Sequence, residues 1–213
     1  MIPLVLDSLR KATNKINWEE LFEIGGIDEL INGAHIWGGY GWSISRLTLA
    51  EIKNLPASAL EADKIYDKYI SNSAFQAMLE TINVNISRKK DFQECVELHN
   101  EHHYKSCAMG LCALIEDQLV MTMLKSKKRR TGKSVFKSIS DENRNLHSAL
   151  RLENTIETYQ YFFKKCDNFN REIEGELNRN FLMHGMMYKP VKKRSCIKLF
   201  LILEAIVINV VIA

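Results

Sequence analysis

The chain has little of what marks a disordered, fibrous or disulfide-bonded protein. Only 3 of its 213 residues are proline and 10 are glycine, and no repeat or low-complexity segment interrupts it. Its five cysteines are odd in number and never form a C-x-x-C pair, so their spacing indicates neither a disulfide framework nor a zinc knuckle. Since 46% of the residues are hydrophobic, we expect one domain with a core of its own in a reducing compartment.

The two ends of the chain carry only weak signals for export or membrane anchoring. The apolar run in MIPLVLDSLRK is five residues long with no basic residue ahead of it, which is too short for a secretory signal. The 18 residues from Cys196 onward are near the minimum for a membrane span, so a tail anchor is an alternative. Lys198, Glu204 and Asn209 interrupt that run, and a polar group at bilayer depth costs about 1 to 3 kcal/mol. We therefore expect a cytoplasmic protein without stable membrane association, whose closing helix packs in the core.

Two patterns that resemble phosphate and metal sites are incomplete. The stretch TGKS at 131–134 lacks the first glycine of a P-loop, because Lys127 stands in that position. The stretch HNEHH places His99, His102 and His103 at i, i+3 and i+4, but the order H-E-x-x-H and a third ligand are absent. The histidines predict an exposed polar helix face, with a metal site as the alternative, and we expect neither metal nor cofactor.

Positive charge is concentrated in two segments, 125–137 and 189–198. Together they hold 12 of the 29 Lys and Arg residues, whereas the rest of the chain has 17 of these against 26 acidic residues. Such concentration attracts a phosphate backbone, although basic segments of this size are also common as solvated connectors. The candidate nucleic-acid contacts are Lys127, Lys128, Arg129, Arg130, Lys133, Lys192, Lys193 and Arg194.

Apolar residues at three- and four-residue spacing predict an all-α protein. The glycine-rich stretch GAHIWGGYGWSIS instead predicts a connector with tight turns, in which Trp37, Tyr40 and Trp42 anchor the core. The predicted helices lie at about 4–14, 18–32, 46–54, 57–83, 89–125 and 150–184, followed by the closing helix.

The stretch LNRNFLMHG, at 177–185, gathers polar groups at the end of a predicted long helix. Residues along an α-helix turn by about 100° each, so Asn180 and His184 share a face, while Arg179 and His184 are offset by about 140°. Arg179 and His184 can therefore reach one site only if the helix ends near His184. Gly185 supplies that ending, because glycine readily takes the left-handed conformation that closes a helix. Asn180 is then placed to hydrogen-bond the imidazole and fix its tautomer.

Two acids in the predicted helix 89–125 need a cationic partner. Glu116 and Asp117 lie in ALIEDQL, within a segment whose broad apolar face predicts burial on more than one side. A carboxylate in such a segment requires a cation or hydrogen-bond donors. Arg179 is the obvious candidate partner for one of the two.

The segment RNFLMH fits the R-x(4 to 6)-H signature and resembles that of HEPN domains, which are helical bundles often found as ribonucleases in prokaryotic toxin and phage-defence systems. The polar residue after the arginine, here Asn180, is usual in them. Two longer stretches are also similar to a group of bacterial HEPN-like proteins: LHNEHHYKSCAMGLCALIEDQL to the helix before the motif, and LNRNFLMHG to the motif segment. The resemblance covers roughly residues 60 to 213. It implies a HEPN-like bundle over 57–213, with 1–56 as an N-terminal helical extension.

The resemblance further implies a metal-independent endoribonuclease that works as a homodimer. His184 would act as a general base or acid, and Arg179 would stabilise the charge on the phosphorane. The basic segments would hold the RNA, and an antitoxin or defence-system partner is implied. The tyrosine that nucleotidyltransferase antitoxins modify in this family is replaced by Met186, and the nearest tyrosine is Tyr188. Many HEPN-like proteins are not catalytic, so an RNA-binding or dimerisation module is the alternative.

Overall fold

The computed structural model describes residues 26–68, 70–123, 146–164 and 177–211. All regular secondary structure within these ranges is helical, which confirms the all-α prediction. The helices are α1 (Ile27–Gly39), α2 (Leu49–Lys53), α3 (Ala59–Asp67), α4 (Asn72–Asn85), α5 (Lys89–Asn100), α6 (Tyr104–Met123), α7 (Leu146–Phe163), α8 (Arg179–Met183) and α9 (Lys193–Val211).

The closing helix α9 is the centre of the bundle. It packs against α4, α6 and α7, and every side chain from 195 to 207 is buried. The prediction that this segment packs in the core is therefore confirmed. None of the described helices has the length and apolar composition needed to cross a membrane.

The two charged residues buried in α9 have charged partners from the segment that joins α1 to α3 and from α3 itself. Lys198 is 1% exposed, and its Nζ lies 3.2 Å from Asp63 Oδ1 and donates to the Tyr40 carbonyl at 3.2 Å. Glu204 is 2% exposed and accepts from Arg46 Nη2 at 2.5 Å and Nε at 3.2 Å. Because each charge is compensated, burial of the helix does not leave an isolated ion in the core.

The glycine-rich stretch after residue 32 is helical up to Gly39, so the predicted tight turns are wrong for this part of it. Two of its glycines, Gly33 and Gly38, allow close packing instead. A Cβ on Gly33 would overlap the Ile52 carbonyl, and one on Gly38 would lie 2.6 Å from Glu157 Cβ. Only after α1 ends does a glycine turn the chain, at Gly41 with φ 78°. Trp37 and Trp42 are fully buried, and the half-buried Tyr40 packs against the same core, which confirms the three aromatic anchors.

Replacing Gly33 by alanine is expected to lower the free energy of unfolding by about 1 to 3 kcal/mol, because the new methyl group must push α1 away from α2. Gly39→Ala is the matched control, since a Cβ on Gly39 would have no neighbour within 4 Å. The control should leave the free energy unchanged or raise it by up to about 0.5 kcal/mol. Urea denaturation of both variants measures the difference, and equal stability would contradict the close contact between these helices.

Three of the predicted long helices are interrupted. The helix predicted over 57–83 is split into α3 and α4, and Ser71 caps the start of α4 by accepting from the Ala74 amide. In the segment predicted as one helix over 89–125, α5 ends at Asn100 and α6 begins at Tyr104. Of the three residues between them, His102 takes φ 66°. The helix predicted over 150–184 ends at Phe163. The cap at Ser71 and the left-handed conformation at His102 interrupt apolar patterns that continue past these two breaks.

The first described helix, α1, contributes to the same core as the bundle. Helix α1 packs against α2 and α7, and its buried Leu30, Ala34 and Trp37 belong to one hydrophobic cluster with residues of α6 and α9. The predicted boundary near residue 57 stays a prediction. The helix predicted at 4–14 and the start of that at 18–32 lie outside the described residues.

Candidate functional site

The motif helix α8 begins at Arg179 because Asn178 caps it. Asn178 Oδ1 accepts from the amides of Asn180 at 2.9 Å and Phe181 at 3.4 Å. These are two of the amides that lack a partner at any helix start. The cap separates the motif from α7 and makes it a short helix of five residues. The apolar spacing predicted that the motif forms the end of a long helix, and this prediction is wrong.

The other end of α8 closes as the sequence predicts. Gly185 has φ 71° and its amide donates to the Leu182 carbonyl at 3.2 Å. The Met186 amide donates to the Phe181 carbonyl at 2.8 Å. This pair of bonds is a Schellman motif, which satisfies carbonyls left open at a helix end. His184, immediately after the last helical residue, is thereby held at the surface, where its side chain is exposed.

Helix α8 is fixed to two neighbouring helices. Phe181 and Leu182 are 1% exposed, and α8 packs against α6 and α7. The side-chain amides of Asn178 and Asn180 both donate to the Lys164 carbonyl, at 3.1 and 3.2 Å. This carbonyl follows the last turn of α7, so two asparagines of the motif join α8 to that helix end.

Arg179 pairs with Glu116, as one of the two predicted partners. Arg179 Nη2 lies 2.6 Å from Glu116 Oε2, and the two side chains are 25% and 26% exposed. Asp117 instead accepts from Arg88, whose Nε lies 3.0 Å from Asp117 Oδ1. Arg179 Nη1 donates to Asn180 Oδ1 at 3.3 Å. The predicted bond between Asn180 and the His184 ring stays a prediction. The Asn180 side chain accepts from Arg179 and donates to the Lys164 carbonyl.

The charges of this ion pair affect the pKa of two nearby groups, the Tyr159 hydroxyl and the Cys112 thiol. Burial raises the pKa of Tyr159 to about 12, and the negative charge of Glu116 adds to that effect. Burial also raises the pKa of Cys112, with Glu116 again contributing. Both groups are therefore protonated at neutral pH and are unsuited to act there as base or nucleophile.

The predicted nucleic-acid contacts fall into three sets. Lys192 and Lys193 are exposed at the start of α9. The guanidinium of Arg194 contacts Asp63 at 3.1 Å and Asp67 at 2.9 Å, so its charge is already neutralised by α3. The remaining candidates are outside the described residues: Lys127, Lys128, Arg129, Arg130 and Lys133.

The three histidines of HNEHH do not share one helix face. His99 is 5% exposed and its ring packs against those of Phe75, Tyr104 and Phe200, so the predicted exposed face is wrong for it. His102 and His103 lie in the turn after α5 and are exposed. Burial lowers the pKa of His99, and the charge of Lys193 adds to this. In the described parts of the chain, no group of three or more His, Cys, Asp or Glu side chains is arranged to hold a metal ion.

The sequence reasoning missed Asn178, which defines the start of the site helix. A signal was available, because Asn is among the preferred N-cap residues and stands directly before the motif arginine. The apolar spacing through Leu177 and Phe181 obscured it.

Searches against protein-family models, curated proteins and solved structures find no match to this chain. The resemblance to HEPN domains therefore rests on the sequence alone, namely the motif residues and the two longer stretches.

Proposed function

We propose that this protein is a HEPN-like, metal-independent endoribonuclease whose site is built on Arg179 and His184. The observation that carries the proposal is the geometry of α8. One short helix begins at the arginine and ends immediately before the histidine, and both of its ends are fixed by hydrogen bonds. A short helix fixed at both ends holds the guanidinium and the imidazole at a defined separation. General acid-base catalysis on a phosphodiester requires such fixed positions.

The two side chains have the properties that RNA cleavage needs. An imidazole ring can accept a proton at one nitrogen and donate one from the other, which suits His184 to general acid or base catalysis. The guanidinium is always charged and presents several N–H donors to phosphate oxygens. Arg179 and His184 are each partly or fully exposed, so a substrate in solution can reach both.

The proposed reaction is an attack by the ribose 2′-oxygen on the neighbouring phosphorus. His184 takes the 2′-hydroxyl proton as the O2′–P bond forms, and Arg179 stabilises the negative charge on the phosphorane. The P–O5′ bond then breaks, and the 5′-oxygen takes a proton. The products are a 2′,3′-cyclic phosphate and a 5′-hydroxyl, and no water is consumed in this step.

A homodimer would supply the second proton-transfer group. One neutral imidazole accepts the 2′ proton, and a protonated His184 from a second copy donates to the 5′-oxygen. This arrangement puts the two motifs on either side of a two-fold axis. The proposed setting is a cytoplasmic toxin or phage-defence protein, held inactive by an antitoxin or another defence-system partner.

A second candidate, a non-catalytic RNA-binding or dimerisation module, is favoured by a different observation. The motif residues have structural roles in this fold. Asn178 caps α8, Asn180 joins α8 to the end of α7, and Arg179 pairs with Glu116. These structural roles do not require the protein to cleave RNA.

End-group analysis of the RNA products separates the two candidates. Single-stranded RNA is incubated with the purified protein in EDTA, and the fragments are analysed by mass spectrometry. The endoribonuclease should leave 2′,3′-cyclic phosphates and should fail on the same oligonucleotide with 2′-deoxy sugars. Binding without cleavage of any tested RNA would favour the module, and cleavage of the 2′-deoxy oligonucleotide would contradict the proposed reaction.

A further inference from the structure

The Arg179 guanidinium is held from several sides before any substrate arrives. Nη2 is bound to Glu116 Oε2 at 2.6 Å and Nη1 donates to Asn180 Oδ1 at 3.3 Å. Nε is buried and has no hydrogen-bond partner among the described residues. Each terminal nitrogen carries two hydrogens, so the bonds above leave one N–H on each for a phosphate oxygen.

Glu116 stands on a rigid support. It lies in the middle of α6. The residues before it, Cys112 and Ile115, are fully buried, and Leu119 after it is 2% exposed. Helix α6 packs against α5, α8 and α9. The carboxylate therefore has a position set by the core, whereas Arg179 has a long side chain with several rotatable bonds. In this pair the glutamate locates the arginine.

We propose that Glu116 is a positioning residue of the candidate site, which orients the Arg179 guanidinium toward the phosphate without contacting the RNA itself. This inference rests on the proposed ribonuclease function. It gives Glu116 a role in the chemical step beyond joining α6 to α8.

The role has a kinetic signature that a purely structural ion pair does not have. Removing the negative charge of Glu116 makes the site more attractive to a phosphate backbone, so RNA binding should stay the same or tighten. The guanidinium loses its fixed direction, so stabilisation of the phosphorane weakens. Turnover therefore falls in this variant, whereas RNA binding does not weaken.

Asp117 provides a matched control one residue further along α6. Its side chain is 21% exposed against 26% for Glu116, and it also pairs with an arginine, Arg88. Asp117→Asn removes the same charge from the same helix without touching Arg179. It should reproduce any general electrostatic effect on RNA affinity.

The test measures kcat and KM for RNA cleavage, with Kd for a 2′-deoxy oligonucleotide, in wild type, Glu116→Gln and Asp117→Asn. Glu116→Gln should lower kcat by about tenfold to a hundredfold with KM and Kd unchanged or lower, and Asp117→Asn should keep the wild-type kcat. Glu116→Asp, which keeps the charge but is one methylene shorter, should fall between wild type and Glu116→Gln. Circular dichroism and urea denaturation check that each variant is folded.

The outcomes separate this inference from the function on which it rests. If wild type cleaves and His184→Ala does not, but Glu116→Gln has the wild-type kcat, the positioning role is wrong and the proposed function stands. An equal fall in kcat for Glu116→Gln and Asp117→Asn also overturns the positioning role, because the effect then follows from charge alone. If wild type does not cleave RNA, the proposed function fails and the role of Glu116 in it fails too.

Discussion

Arg179→Ala is expected to lower the rate of RNA cleavage by about a hundredfold or more, because it removes the fixed cation that stabilises the phosphorane. Arg179→Lys keeps the positive charge but loses the planar set of donors, so its rate should lie between wild type and Arg179→Ala. Single-turnover cleavage of a labelled RNA measures all three.

Arg88→Ala is the control for this prediction. Arg88 is also paired with an acid of α6, although its side chain is more exposed, at 58% against 25% for Arg179. Its loss removes the same charge from the protein. It should weaken RNA binding only slightly and leave the chemical step unchanged. Equal losses of rate in Arg88→Ala and Arg179→Ala would assign the effect to net charge and remove Arg179 from the catalytic site.

Arg46→Ala is expected to cause the largest loss of stability, about 3 kcal/mol or more, because it leaves the buried Glu204 carboxylate without its cation. The pair joins α9 to the segment between α1 and α2, and Glu204 has only 3% of its side chain exposed. Lys68→Ala breaks an exposed pair with Glu51 and should cost between 0 and about 1 kcal/mol.

Urea denaturation of the two variants tests this comparison. Arg46→Met combined with Glu204→Met should recover most of the stability, because the buried charge is removed together with its partner. A loss below about 1 kcal/mol in Arg46→Ala would contradict the view that α9 is held in the core by compensated charges.

The sequence predicted those parts of the fold that depend on hydrophobic spacing and on special residues. The closing helix was placed in the core because its apolar run contains Lys198 and Glu204, which a bilayer does not tolerate. Gly185 was identified as a helix end because of its conformational freedom. The interruptions before Ser71 and Asn178 were missed, since apolar spacing continues across a break and polar caps act over three residues only.

Other features depend on contacts between residues that are far apart in the sequence. His99 stands in a polar stretch of sequence that is typical of an exposed position, but its ring packs against Phe75 and Phe200 in the folded chain. Arg194 belongs to a basic segment of the sequence, yet in the fold its guanidinium forms ion pairs with Asp63 and Asp67 of α3. An ion pair between Arg179 and one of the two acids of α6 was predictable, because an acid in an apolar helix needs a cation. The choice of Glu116 over Asp117 depends on the fold, in which Arg88 pairs with Asp117.

The most direct test of the account compares RNA cleavage by wild type and His184→Ala, prepared in parallel and assayed in EDTA, with His103→Ala as the control. His103 is another exposed histidine, and it lies outside the motif. Wild type and His103→Ala should cleave at equal rates, whereas His184→Ala should be slower by about a hundredfold or more. Cleavage by His184→Ala at the wild-type rate would show that the activity does not belong to this site and would contradict the account.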